Sequence, residues 1–225
     1  MEGKEKKQQD GILQTIALTI IFATAAMVVI CIVLSCIVKG KEQKIEEEKS
    51  TKQIGEPKFE KMLLTPNKYS RPQIELKDVK GIVVHYTANP GSTAKDNRNY
   101  FESLKNKKNR YASSHFVVGL KGEIVQCIPL NEIAYASNDR NSDTISIECC
   151  HEDASGKFNK KTYQSLVELV AWLCGKYNLK SEDIIRHYDV TGKICPKYYV
   201  ENEDKWKQFK KDVFEHIELA DEKEE

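Results

Sequence analysis

The sequence predicts an α/β domain with a mixed central β-sheet flanked by helices, preceded by one N-terminal transmembrane helix. Three observations predict it. Gly11 to Val38 carries no charged residue. Lys39 to Lys61 is dominated by Lys and Glu. Beyond that, short β-branched runs alternate with stretches whose apolar residues recur at helical spacing, the pattern of strands interleaved with helices.

The chain has 225 residues, of which 40% are hydrophobic, 31% charged and 8% aromatic. That composition excludes a disordered chain, a collagen-like one and a multi-span membrane protein. Lys plus Arg is 35 against 34 for Asp plus Glu, so nothing in the charge balance points to nucleic acid as a partner.

Residues 1–10 form a short polar leader. Residues 11–38, as a helix, reach about 42 Å, more than the roughly 30 Å of a hydrocarbon core. An uncleaved anchor is the expectation. Two alternatives exist: cleavage near Ala23-Thr24-Ala25, which would leave an apolar stub, and lipidation at Cys36 in a poor lipoprotein-like Val33-Leu34-Ser35-Cys36. Each addresses the chain to a membrane. Lys39, Lys41, Lys44, Lys49 and Lys52 outweigh Lys4, Lys6 and Lys7, so lysine counting favours a cytoplasmic C-terminal side, against the location the function below requires. Residues 39–61 read as a charged linker, 62–219 as the folded domain and 220–225 as an acidic tail.

Within the domain, Ile82 to Tyr86 is a buried strand bounded by Gly81 and Asn89-Pro90-Gly91. Thr93-Ala94-Lys95-Asp96 resembles a capping box and opens a helix through Phe101 and Leu104. Ser114 to Val118 and Glu123 to Ile128 flank a turn and predict a hairpin. Thr144 to Cys149 is a second interior strand. Tyr163, Leu166, Val167, Val170, Cys174 and Tyr177 mark a long amphipathic helix. Asp183 to His187 is a last short strand, and a helix with Trp206, Phe209, Val213 and Ile217 on one face closes the domain.

Three residues fall where a sheet presents side chains to a cleft: His85 and His187 at strand ends, and Cys195 in the loop beyond. Taken singly, each histidine reads as a partly buried structural residue and the cysteine as a small hydrophobe. Together, two imidazoles and a thiolate suit Zn²⁺ and leave a fourth position open, the arrangement of catalytic zinc. Glu148 on an interior strand is an odd residue to bury unless it is ion-paired or employed.

The series Val84-His85-Tyr86-Thr87-Ala88-Asn89-Pro90-Gly91, Ser146-Ile147-Glu148 and Arg186-His187-Tyr188-Asp189-Val190-Thr191-Gly192-Lys193-Ile194-Cys195-Pro196 resembles the zinc-dependent N-acetylmuramoyl-L-alanine amidases of the phage-lysozyme and peptidoglycan-recognition-protein superfamily. The resemblance runs from about Tyr69 to Ile217. It implies Zn²⁺ held by His85, His187 and Cys195, and hydrolysis of the amide between N-acetylmuramic acid and L-alanine in peptidoglycan. It implies zinc-bound water as nucleophile, Glu148 as general base and acid, and Lys193 stabilising the oxyanion. The bland readings are a buried salt bridge for Glu148 and a loop cation for Lys193. One departure is visible: Ser114 stands before His115 where many phage-type members carry tyrosine, and the nearest preceding tyrosine is Tyr111. His115 is expected to pack beside the site rather than bind metal.

Cys127, Cys149, Cys150 and Cys174 lie within strands and a helix and read as buried thiols, not a disulfide framework. The rival functions are a non-catalytic peptidoglycan-recognition module tethered to the membrane, and a membrane-anchored zinc hydrolase whose cytoplasmic domain acts on imported muropeptides. The expectation is an anchored amidase, single-pass, with its domain facing the cell wall.

Overall fold

The computed structural model describes residues 54–221, with Met27 and Ser35 as isolated positions. The expected transmembrane segment and most of the linker lie outside the described residues. Among the described residues no helix is long and apolar enough to cross a membrane.

Among the described residues six strands make one sheet: β1 (Glu60–Lys61), β2 (Gly81–Tyr86), β3 (Phe116–Val118), β4 (Ile124–Gln126), β5 (Thr144–Cys149) and β6 (Ile184–Arg186), in the order β1-β4-β3-β5-β2-β6. Only the β3–β4 hairpin is antiparallel; the other neighbours are parallel. The mixed sheet is the predicted one. Its helices are α1 (Ala94–Lys107), α2 (Lys160–Tyr177), α3 (His187–Thr191), α4 (Lys197–Glu201) and α5 (Glu203–Asp221).

The two-residue period of the strands sorts their side chains onto two faces. Ile82, Val84, Phe116, Val118, Ile145 and Ile147 join Leu166, Leu169, Val170, Trp206, Phe209 and Val213 in the larger core, so α2 and α5 cover that face. Val117 and Val125 join Ala94 and Phe101 of α1 in a smaller cluster on the other face. The α1 N-terminus is closed by the expected box: Thr93 Oγ1 accepts from the Asp96 N–H at 3.1 Å, and the Thr93 N–H donates to Asp96 Oδ2 at 3.0 Å. The four cysteines between Cys127 and Cys174 are free and buried, as expected.

Three details differ from the sequence reading. The fold begins before residue 62: Ile54 is buried in the larger core, Phe59 packs edge-on against Phe116 at 5.4 Å, and Glu60–Lys61 extends the sheet beside β4. The charged composition hid two anchoring side chains and one backbone pairing. The last strand stops at Arg186, and His187 is the first residue of α3. The closing helix continues into the expected tail, to Asp221.

Candidate active site

His85 is the fifth residue of β2 and lies directly opposite Glu148 of β5 in the parallel register. Their neighbours Val84 and Ile147 belong to the core under α2 and α5. Period two therefore puts His85 and Glu148 together on the α1 face.

The chain reaches the other two candidates through one tight excursion. β6 ends at Arg186, whose guanidinium holds Asp189 through two bonds of 2.8 and 3.1 Å, Glu203 at 2.6 Å and the Tyr199 carbonyl at 2.9 Å. That cluster pins α3 against α4 and α5. Gly192 ends α3 with φ +77°, its N–H donating to the Tyr188 carbonyl at 2.8 Å, a left-handed stop that glycine adopts without strain. The chain turns back, and the Tyr188 N–H donates to the Cys195 carbonyl at 2.9 Å. Cys195 thus returns beside His187.

The result is a buried triad. Donor atoms of His85, His187 and Cys195 all lie within 4.8 Å of one another, and the two imidazole rings meet edge-on with centroids 4.7 Å apart. The outer ring nitrogens are occupied: His85 Nε2 lies 3.2 Å from Ser137 Oγ, and His187 Nε2 donates to Asn138 Oδ1 at 3.0 Å. His85 Nδ1 faces Cys195 Sγ at 3.8 Å, while His187 Nδ1 is buried with no protein partner. An imidazole whose outer N–H is fixed by a carbonyl offers a lone pair on the inner nitrogen, which is how metal-binding histidines are oriented. Two inward ring nitrogens, one of them the orphaned Nδ1 of His187, and a thiol make three donors that fit a zinc ion.

The electrostatics agree. Burial pushes His85 well down, and the charges of His187 and Lys193 add to it. Burial likewise lowers His187, with Lys193 adding to it. Burial and the Glu148 carboxyl push the Cys195 thiol up to about 12. Neutral imidazoles are ready ligands, and the thiol ionises only for a cation at its side.

A pocket of about 260 Å³ opens over the triad, lined by His85, His187, Glu148, Lys193, Thr87 and Tyr111 among others. Burial pushes the Glu148 carboxyl up to about 8 against the pull of Lys193, and its Oε2 has no protein partner. No salt bridge engages Glu148 among the described residues, so the buried-ion-pair reading fails. Lys193 is exposed at the pocket's edge. All five residues singled out in the sequence therefore meet at one place. His115 does not join them: the Ser146 N–H donates to its Nδ1 at 3.0 Å, and its Nε2 donates to the Glu132 carbonyl at 2.9 Å. Both its nitrogens are spent, and burial holds it down at about 4. Ser114 turns its hydroxyl to the Phe116 carbonyl, while Tyr111 is 58% exposed at the pocket.

Sequence reasoning missed Ser137, Asn138 and Thr87. The first two sit where a polar turn enters a short 3₁₀ helix, Asn138 at φ 52°; asparagine in a polar cluster signals such a turn, but not which histidine it meets. Thr87 was legible as the residue two beyond His85.

Residues 75–198 match the family described as N-acetylmuramoyl-L-alanine amidase. The N-acetylmuramoyl-L-alanine amidase CwlL of Bacillus licheniformis is 41% identical over 169 residues, covering 69% of this chain and 46% of that protein. The amidase BlyA of Bacillus subtilis (strain 168) is 37% identical over 176 residues, 69% of this chain and 46% of its own length. The chain thus spans about half the length of these relatives. Among solved structures, that of PlyL superposes with a TM-score of 0.60 at 29% identity, over 70% of this chain and 97% of PlyL.

Proposed function

This chain belongs to the N-acetylmuramoyl-L-alanine amidase family, and from that premise we propose that it is a zinc-dependent hydrolase of the amide joining N-acetylmuramic acid to L-alanine in peptidoglycan. The observation that carries the proposal is the convergence of three metal donors within 4.8 Å of one another with Glu148 and Lys193 on one pocket.

His85, His187 and Cys195 would hold the zinc, which when bound supplies Lewis acidity that polarises a carbonyl and acidifies water. Glu148 faces the same space with an unpartnered oxygen and a carboxyl pushed up to about 8, a proton affinity suited to both taking and returning a proton near neutral pH. It accepts the proton that leaves the attacking water as the C–O bond forms, and delivers it to the nitrogen as the C–N bond breaks. Lys193, a cation at the pocket's edge, faces the negative charge that develops on the carbonyl oxygen. The products are a muramic carboxylate and a free L-alanine amine.

The uncharged run from Gly11 to Val38 supports a membrane anchor, with the domain outside the cytoplasm, where the wall is. Protease accessibility on intact cells tests that placement; a protected domain overturns it. The activity is tested with the full-length chain on purified peptidoglycan, following new L-alanine amino groups against new reducing ends. Amino groups without reducing ends, lost with a zinc chelator and with Glu148→Gln, are expected. Tight wall binding with neither product overturns the amidase in favour of a recognition module.

A further inference from the structure

We propose that Thr87 is a second water-orienting group of the active site, acting beside Glu148. The inference rests on the amidase reading and extends it to a residue outside the metal donors and the proton carrier.

Thr87 stands just past β2, yet its N–H still donates to the Cys149 carbonyl at 3.0 Å, so the ladder with β5 continues through it. Two residues on from His85, it falls on the face that carries His85 and Glu148, and all three line the pocket. In the parallel β2–β5 register His85 pairs with Glu148, which makes Thr87 the diagonal neighbour of Glu148 on that face. Thr87 Oγ1 and Glu148 Oε2 are both buried, and neither has a protein partner.

Folding does not explain that hydroxyl. Valine has the same branched shape without a polar atom to desolvate. Buried polar side-chain atoms are nearly always hydrogen-bonded, so two orphaned oxygens on one wall of a pocket point to a shared guest.

The reaction supplies one. Hydrolysis forms a bond from the water oxygen to the carbonyl carbon, breaks the bond from that carbon to nitrogen, and moves one water proton through Glu148 to the nitrogen. A water that gives one hydrogen to Glu148 Oε2 and the other to Thr87 Oγ1 turns its lone pairs away from both, toward the carbonyl carbon. One acceptor alone leaves the water free to rotate about that bond; two fix it, which is the orientation that raises rate without tighter substrate binding.

The test uses zinc-supplemented full-length wild type, Thr87→Val and Thr87→Ser on a soluble muramyl peptide, recording kcat, KM, Tm and zinc content. Losing one orienting hydrogen bond is expected to lower kcat of Thr87→Val about 10- to 100-fold, with KM within about twofold. Its Tm and zinc content stay at or above wild type, because no folding contact is lost, and Thr87→Ser recovers most of kcat. An active wild type with an unimpaired Thr87→Val overturns the inference alone. So does a fall in Tm that accounts for the lost activity, with Thr87→Ser equally damaged, since that marks a structural hydroxyl. A wild type that is folded, zinc-loaded and inactive overturns the amidase reading and this inference with it.

Discussion

Replacing Arg186 with methionine should loosen the proposed zinc site without touching any of its three candidate ligands. The Arg186 side chain is 8% exposed, and its guanidinium ties β6 to three helices through Asp189, Glu203 and the Tyr199 carbonyl, with Tyr188 and Trp206 rings 5.5 and 5.4 Å from its carbon. Methionine keeps much of the stem volume and removes the charge. Each hydrogen bond to a charged partner is worth about 1.5–3 kcal/mol. Asp189 and Glu203 remain 30% and 53% exposed, so water re-solvates them and most of the ion-pair energy must be discounted. The buried Tyr199 carbonyl has no such relief. A net loss of about 3 kcal/mol follows, or about 6–12 °C in Tm for a domain of this size. Because His187 is the next residue and begins the helix that Arg186 pins, zinc affinity should fall about 10- to 100-fold, the range seen when the supports of metal ligands are removed. Urea unfolding of the metal-free chain gives the first quantity, and competition against a chromogenic chelator gives the second. Unchanged stability refutes the ion-pair argument. Lost stability with unchanged zinc affinity refutes the claim that this cluster positions His187.

Two further predictions concern the frame. Phe59→Ala removes a partly buried ring from Phe116 and Trp172 and should cost about 2 kcal/mol, read as a Tm lower by about 4–8 °C; unchanged Tm would return residues 54–61 to the linker. Burial pushes Glu102 upward, but hydrogen bonds from Lys105 and Thr65 and the charge of Arg98 outweigh it and hold the carboxyl at about 2. Against an unfolded value of about 4.3, its stabilisation is fully present above that pH and lost as pH falls toward 2. Glu102→Gln should therefore cost about 1–2 kcal/mol at pH 7 after discounting for solvent, with the gap to wild type closing between about pH 5 and pH 2 in a denaturant titration. A gap constant across that range removes the charge argument.

Much of this was legible because it is periodic. Ile82 to Tyr86 and Thr144 to Cys149 announce interior strands, and their two-residue period already puts His85 on one face and Val84 on the other. Which partner strand lies alongside, and in what register, is a tertiary fact; the pairing of His85 with Glu148 could come only from the fold or a resemblance. The N-terminal edge was hidden for a different reason. Ile54 and Phe59 are isolated among Lys and Glu, and two apolar residues have no period. Glu60 and Lys61 are exposed and join the sheet by backbone alone, which side-chain chemistry does not record. Ser137 and Asn138 reach the histidines from a turn about 50 residues from either partner, and no local pattern carries that distance.

Among the described residues, three of the four buried side-chain polar atoms without a protein partner, Thr87 Oγ1, Glu148 Oε2 and His187 Nδ1, belong to residues lining the same pocket. Each such group costs a fold about 1–3 kcal/mol, and a module that merely grips peptidoglycan would gain stability by replacing them. Their concentration at one place is the mark of a site that gives up stability for chemistry. The same environment disfavours a second kind of chemistry. Cys195 beside His85 has the composition of a thiol nucleophile with its base, but burial drives the thiol up to about 12 and drives His85 well down. Lys193 and His187 hold His85 neutral in the same direction. The proton therefore stays on sulfur, and an imidazolium–thiolate pair, which activates a cysteine by keeping it ionised, is the arrangement this pocket most disfavours. A divalent cation would reverse the balance for all three proposed ligands at once: it favours the thiolate, wants the imidazoles neutral, and leaves the Glu148 carboxyl to carry a proton.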